Sequence, residues 1–363
     1  MRPSIIELAS LVEGLPHESR FVFNGIFSIE THPARLSLPP QMRPWIERQF
    51  GSLEAVTGQK TVRVTNLLTN ESSIFNPLRS SRPHHFKKLT PASGSESGED
   101  EEDPFSNPLE STPEDPFGRV EGQYCITAGN VAKYGQYHCV IIFKKKAPLD
   151  FGCSEVADYI ETAWRWARRA HAFDQSVQYP LFLWNCTNRA GASLPHGHAQ
   201  AVMGGGSHYA RTEGLRAAAE AYRQKSGNDY FDDLYAAHKA VGLALERGRT
   251  RLMAYLAPLK QNEVMLLSPG LDEDFTGSIY NVLACFRDRL NVKSFNLGIA
   301  FPPMGDARGW ESFPVVARVV DRGDTDDLSC DIGAMEFYGA NVISSDPFRT
   351  AAALDEFFKG GSA

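Results

Sequence analysis

Cysteine is scarce. Six residues in 363 (Cys125, Cys139, Cys153, Cys186, Cys285 and Cys330) stand apart with no CxxC pair. That spacing argues against a disulfide framework and fits a reducing, cytoplasmic setting. Long apolar runs are missing as well. None approaches the roughly 18 residues of a membrane span, so no membrane partner is expected. The opening MRPSIIELASLVEGL carries Glu7 and Glu13 and does not read as a cleavable signal peptide. Basic excess is absent: the net charge is −7. A broad nucleic-acid surface, which needs a clustered basic face, is therefore not expected. The acidity is local, however. Residues 93–116 (SGSESGEDEEDPFSNPLESTPEDP) hold nine acids and no base, and without them the body is +2. That leaves room for a focused site for a small anion.

What is present is ordinary globular material, 42% hydrophobic and 22% charged. At about 100–200 residues per domain, the length suggests two domains or two fused halves. Residues 1–60 read as mainly helical or irregular, and TVRVTNLLTNESSIFNPLRSSRP as strands around an Asn-rich turn. The acidic segment cannot bury much apolar surface and reads as a flexible, solvated loop. From Val120 the pattern becomes regular. Two strands (EGQYCITAGNVAKYGQYHCVIIFKKK) precede a helix, SEVADYIETAWRWARRAHAFD, with Ser154 as candidate N-cap, Trp164 toward the core and Trp166 partly exposed. Strands QYPLFLWN and HGHAQAVM follow, then helices TEGLRAAAEAYRQKS and DYFDDLYAAHKAVGLALERG. The last hundred residues echo the strand pair, helix, strand pair order without a residue-level repeat.

The informative stretch is Asn185 to Gln200, NCTNRAGASLPHGHAQ. On a strand, alternate residues share a face. His196, His198 and Gln200 then form one polar face, while Gly197, Ala199 and Ala201 leave the other free for close approach. The preceding loop, Arg189-Ala190-Gly191-Ala192-Ser193, has little bulk and can turn backbone N–H groups toward an anion. Ser193 adds a hydroxyl, and Asn185 and Asn188 add amides. A phosphate cradle beside two imidazoles suits a neutral histidine nucleophile that attacks phosphorus and forms a covalent intermediate. Two other readings stay open. HxH is also metal-chelating geometry, with a third ligand needed from His138, His208 or an acid. The other is a merely structural pair, which two histidines and a glutamine on one face beside AGAS argue against. The Gly-rich MGGGSHYA at 203–210 lacks both phosphate-loop patterns and reads as a connector.

GASLPHGHAQ resembles the active-site motif of the histidine-triad (HIT-like) nucleotidyltransferases, in the galactose-1-phosphate uridylyltransferase and diadenosine tetraphosphate phosphorylase branch. There the motif reads HxHxQ, here His196-Gly197-His198-Ala199-Gln200. Weaker similarities are FNPLRSSRP at 75–83 and IGAMEFYGANVISSDPFRTAAAL near the C-terminus. The resemblance implies an α+β fold of two HIT-like halves, each an antiparallel sheet flanked by helices, divided as 1–209 and 210–363. It implies that His198 becomes nucleotidylated, that Gln200 bonds the phosphoryl oxygens, and that His196 orients its neighbour or touches phosphate. Asn185, Gly191, Ala192 and Ser193 would hold the donor's phosphates. The expected partners are a nucleotide polyphosphate or nucleotide sugar, and phosphate or a sugar phosphate as acceptor. An adenylyltransferase or phosphorylase is the first reading. A hexose-1-phosphate uridylyltransferase-like enzyme is the second, and a silent nucleotide- or metal-binding protein is the alternative of a different class. Homodimers are common among the relatives the chain resembles. No cofactor is expected, and with no CxxC, no structural zinc. The basic cluster Arg79, Arg82, His84, His85, Lys87 and Lys88 reads as a solvated counterpart of the acidic segment.

Overall fold

The computed structural model describes residues 3–33, 35–81, 103–305, 307–326 and 330–360. Arg82, His84, His85, Lys87, Lys88 and the acidic residues 93–102 lie outside them. The chain opens with α1 (Leu8–Glu13), α2 (His17–Ile26), β1 (Phe27–Pro33), α3 (Arg43–Phe50), α4 (Leu53–Thr57), β2 (Lys60–Asn66) and β3 (Ser72–Phe75). Next come α5 (Pro108–Ser111), β4 (Cys125–Gly129), β5 (Tyr137–Phe143), α6 (Cys153–Phe173), β6 (Val177–Cys186) and β7 (His198–Gly205). The remainder is α7 (Ala210–Ser226), α8 (Tyr230–Ala240), β8 (Ala244–Arg247), β9 (Thr250–Ala254), β10 (Gln261–Ser268), α9 (Glu273–Asp288), β11 (Phe295–Ala300), β12 (Val315–Asp321), β13 (Ala340–Ile343) and α10 (Pro347–Gly360). The class is α+β, as expected.

Nine strands form one antiparallel sheet in the order β4-β5-β7-β6-β11-β12-β10-β9-β8. The order 4-5-7-6 is mirrored by 9-10-12-11 across the central β6–β11 pair, and α6 and α9 hold equivalent places in the chain. Register makes the equivalence residue by residue. Gln200 lies opposite Val140 on β5 and Leu183 on β6. Arg318 lies opposite Met265 on β10 and Gly298 on β11. These are the two fused halves.

Period-two alternation splits the sheet's faces. Ala199, Ala201, Phe182, Trp184, Leu297 and Val319 face α6 and α9 in one large core. Each large apolar side chain buried there contributes roughly 1.5–3 kcal/mol. In α6 the buried stripe is Val156, Tyr159, Ile160, Ala163, Trp166, Ala167 and Ala170. Its N-cap is Gly152, whose N–H bonds the Glu155 carboxylate at 3.1 Å, not Ser154. Trp166, three residues past Ala163, is the fully buried tryptophan, and Trp164 sits beside the stripe against Phe301. The expected orientation of the two was reversed. The helix after residue 229 also ends sooner than its pattern suggested: Gly242, at φ 79°, turns the chain, and Leu245 enters β8.

The opposite face is covered unequally. Over the second half, α1, α2, β1, β2, β3 and α8 pack onto Met253, Met265, Leu267 and Val316. β3 also pairs in parallel with β13 in a separate four-stranded sheet, so residues 1–75 lie with the second half in space. Over the first half, Phe105 packs on Ala128, Val140 and Ile142. The described part of the acidic segment, 103–116, is therefore anchored at Phe105 and Asp115, while Ser106, Asn107, Leu109 and Glu110 between them stay exposed. Asp115 is 5% exposed and accepts a 2.8 Å bond from Trp166 Nε1.

Candidate active site

β7 carries the candidate site, and its two faces differ sharply. Ala199 and Ala201 let α6 approach, and Gly197 allows tighter contact still. A Cβ there would stand 2.9 Å from Phe143 Cδ2 and 3.3 Å from both Lys145 O and Pro148 Cα. The polar face holds His198 and Gln200, with His196 just ahead of the strand; all three are buried.

Each imidazole has a defined hydrogen-bonding role. His198 Nδ1–H donates to the His196 carbonyl at 2.8 Å, so Nε2 carries the lone pair. Burial holds the His198 pKa below its ordinary value, which keeps the ring neutral near pH 7. His196 Nδ1 faces the Asp103 carboxylate at 2.7 Å and its Nε2 the Phe143 carbonyl at 2.9 Å. Both partners are oxygen acceptors, so protein groups already occupy both ring nitrogens of His196. Of the other ligands considered, His138 bonds Gln200 at 2.7 Å, and His208 is stacked on Trp310 beyond the far end of β7. No group of three His, Cys, Asp or Glu suited to a metal occurs among the described residues.

Asp103 and Phe105 come from the acidic segment, and composition gave no hint of either. Burial raises the Asp103 pKa, but bonds from His196, Ser106 and the Phe105 N–H outweigh it and hold the carboxyl below its ordinary value. The Phe105 ring meets both imidazoles edge-on, with centroids 5.8 Å from His196 and 5.3 Å from His198.

Leu183 lies opposite Gln200, so Asn185, two residues on, falls level with His198. The Asn185 Oδ1 accepts from Asn296 Nδ2 at 2.7 Å, and that amide also donates to the Ala190 carbonyl at 2.9 Å. The Asn296 Oδ1 accepts from Arg322, whose guanidinium can only donate. The chain of roles leaves the Asn185 NH2 without a partner among the described residues. Asn296 and Arg322 belong to the second half, and only the β6–β11 seam brings them here. In sequence, the one signal was a polar residue within the strand FNLGIA. His138 gave a similar signal, as the histidine inside YHCVIIF.

The loop 187–193 behaves differently from expectation. The Ala190 and Ala192 N–H groups donate to Thr187 O at 3.1 Å, and the Gly191 N–H donates to Asn188 O at 2.9 Å. Gly191, at φ 99°, needs its glycine for this turn. Three N–H groups thus close the loop on itself rather than converge on an anion. Ser193 is exposed, and its hydroxyl is unbonded among the described residues. A cavity of about 540 Å³ lies elsewhere, among Asp229, Arg249, Arg251, Ser268 and Phe313. By the mirrored register it is the second half's counterpart of the His196 end of β7, and no histidine lines it among the described residues.

A seamed pair of antiparallel half-sheets, with HxHxQ on the strand beside the seam, defines the class as a two-half, GalT-like fold. Solved structures agree. An ADP-glucose phosphorylase from Arabidopsis thaliana with bound ADP-glucose is 17% identical, with a TM-score of 0.62 over 82% of this chain and 98% of its own. A GalT-like protein from the same plant is 17% identical, with a TM-score of 0.59 over 82% and 98%. A uridylyltransferase is 13% identical, with a TM-score of 0.56 over 83% and 99%. No protein-family model and no curated sequence matches the chain. No helix among the described residues is long and apolar enough to cross a membrane.

Proposed function

We propose that the chain is a nucleotidyltransferase that works by a ping-pong route through nucleotidyl-His198. The observation that carries this reading is the fixed role of His198. Its Nδ1–H is committed to the His196 carbonyl, and its Nε2 lone pair stands on a face with two amide groups. In the first step Nε2 attacks the α-phosphorus of the donor, a P–N bond forms, and the bond to the leaving phosphate oxygen breaks. In the second, phosphate or a sugar phosphate attacks the same phosphorus and releases His198. The Gln200 and Asn185 amides and the Ser193 hydroxyl hydrogen-bond the phosphoryl oxygens, with Gly191 and Ala192 shaping the loop that presents Ser193. His196, tied to Asp103, holds the carbonyl that orients His198. Gln200 cannot exchange a proton with water as a third histidine would, so the adduct waits for a phosphate acceptor.

The donor class is a nucleoside diphosphate sugar or dinucleoside polyphosphate. The fold shared with an ADP-glucose phosphorylase supports an adenylyl donor and a phosphorolytic second step. The two half-sheets share this one reaction centre, with Asn296 and Arg322 reaching it across the β6–β11 seam. The test is intact-protein mass after mixing with ADP-glucose, diadenosine tetraphosphate, UDP-glucose, a GDP-hexose or ATP, without acceptor. An acid-labile nucleoside monophosphate adduct that is absent in His198→Gly is expected. Its mass names the base. No adduct with any donor sinks the covalent route.

A further inference from the structure

We infer that His138 is a positioning residue that fixes which end of the Gln200 amide faces the phosphoryl group. This rests on the reading of β7 as the nucleotidyl-transfer strand.

An amide side chain offers oxygen on one side and NH2 on the other, and only the NH2 can bond a phosphoryl oxygen. Packing barely distinguishes the two orientations, so something must choose between them. Here the choice follows from a backbone group whose role cannot change. The Tyr134 N–H donates to His138 Nδ1 at 3.1 Å, so Nδ1 is unprotonated. A neutral imidazole then carries its proton on Nε2. Burial favours that neutral form, since it holds the His138 pKa below its ordinary value. The Nε2 of His138 lies 2.7 Å from Gln200 Oε1 and 3.2 Å from Asn130 Nδ2. The Asn130 NH2 is a donor, because its Oδ1 already accepts the Ala132 N–H at 2.9 Å. The proton on Nε2 therefore goes to Gln200, which must turn its oxygen inward. Its NH2 is left without a partner among the described residues, on the face that carries His198.

The ring is also held mechanically. It is fully buried, and Tyr134 stacks on it at 4.5 Å and 26°. The second half repeats the arrangement with other chemistry. Glu263 stands where His138 does, diagonal to Arg318 in the place of Gln200, and the two form an ion pair. Arg318 also pairs with Glu71 at 2.5 Å, from the turn between β2 and β3. The same diagonal pair is thus an ion pair in one half and a neutral imidazole–amide hydrogen bond in the other. His138 itself has no spare lone pair and no proton to give, so it acts through Gln200 and not on the substrate.

The decisive experiment compares three substitutions in the full chain. His138→Leu removes the donor. His138→Gln places an NH2 near the position of Nε2, and His138→Asn places one near Nδ1. The readout is the single-turnover rate of adduct formation with whichever donor labels the native chain. An amide free to flip is competent half the time, so the smallest loss for Leu is about twofold. Loss of the donor altogether sets the largest, on the order of 100-fold. The Leu and Asn variants should fall within that range, and Gln should recover most of the rate. In a Gln200→Ala background His138→Leu should cost nothing more, because its effect passes through Gln200. Native rates in His138→Leu, equal rescue by Asn and Gln, or additive losses would each overturn the inference. A second measurement does not depend on turnover: the ring-nitrogen NMR shifts of His138 in ¹⁵N-histidine-labelled chain, identified by their disappearance in His138→Gln. Protonated Nε2 with bare Nδ1 is expected, and the reverse tautomer or a doubly protonated ring at neutral pH refutes the proposal. If no donor labels the native chain, the nucleotidyl-transfer reading fails, while the tautomer still decides the role of His138.

Discussion

Adding one methyl group to Gly197 tests the site and its packing together. A Cβ at this position would lie 2.9 Å from Phe143 Cδ2, so restoring ordinary contact at 3.4 Å requires a movement of roughly half an ångström. The phenylalanine cannot simply turn aside. Its ring stacks on Tyr159 at 3.7 Å and 3°, and Trp184 closes on it edge-on at 5.0 Å. The other two neighbours, Lys145 O and Pro148 Cα, are backbone. The strand must therefore give. Overpacking of this kind costs about 1–3 kcal/mol. At about 2 cal/mol/K of unfolding entropy per residue over 363 residues, Tm should fall by roughly 1–4 °C. The activity effect is larger, because the displaced backbone carries His196 and His198 with it. If a 1 Å misplacement costs on the order of 100-fold, half of that costs about tenfold. Differential scanning calorimetry and the adduct-formation rate with the labelling donor measure the two effects. A Gly197→Ala chain with native Tm and native rate would falsify the claim that close packing positions the histidines.

Asp103→Ala should slow adduct formation several-fold, because the 2.7 Å tie to His196 and the seat of Phe105 depend on that carboxylate. Its folded-state pKa is depressed, so the tie is present above the ordinary carboxylate pKa and is lost as pH falls through the lower folded value. The pH dependence of Phe105-segment protection in hydrogen exchange checks that sign. Asp115→Ala leaves the buried Trp166 N–H unpaired and should cost about 1–3 kcal/mol in urea unfolding; an unchanged midpoint would show that the acidic segment does not anchor there. His208 and His238 are both buried, which pushes their pKa values down to about 4. Each resists a proton that the unfolded chain accepts near 6.5, so stability should fall as pH drops from 6.5 toward 4. The loss is about 2 kcal/mol per group by pH 5. Urea midpoints at pH 7 and 5 measure it, and His238→Gln should flatten the slope.

Local pattern made much of this molecule legible in advance. Alternation placed β7 and its polar face, because the period of a strand does not depend on what lies beyond it. Gly and Ala opposite two histidines announced close packing on one side and chemistry on the other. The stripe on α6 was readable too, although the choice between Trp164 and Trp166 was not, since the two lie on either side of the stripe's edge and the sheet decides which one points in. A run of nine acids read as solvated, because composition sees charge and not the one carboxylate that finds a histidine.

The sequence by itself determined the identity of the chemical groups: an imidazole pair, an amide in place of a third imidazole, and a glycine where no side chain fits. Tertiary structure decided which atom of each group is free. The Tyr134 N–H sets the His138 tautomer and through it the Gln200 amide, while Arg322 and Asn296 set Asn185 from the other half of the chain. Hydrogen-bond roles are assigned by neighbours in space, some more than 100 residues away, and no local pattern carries that information.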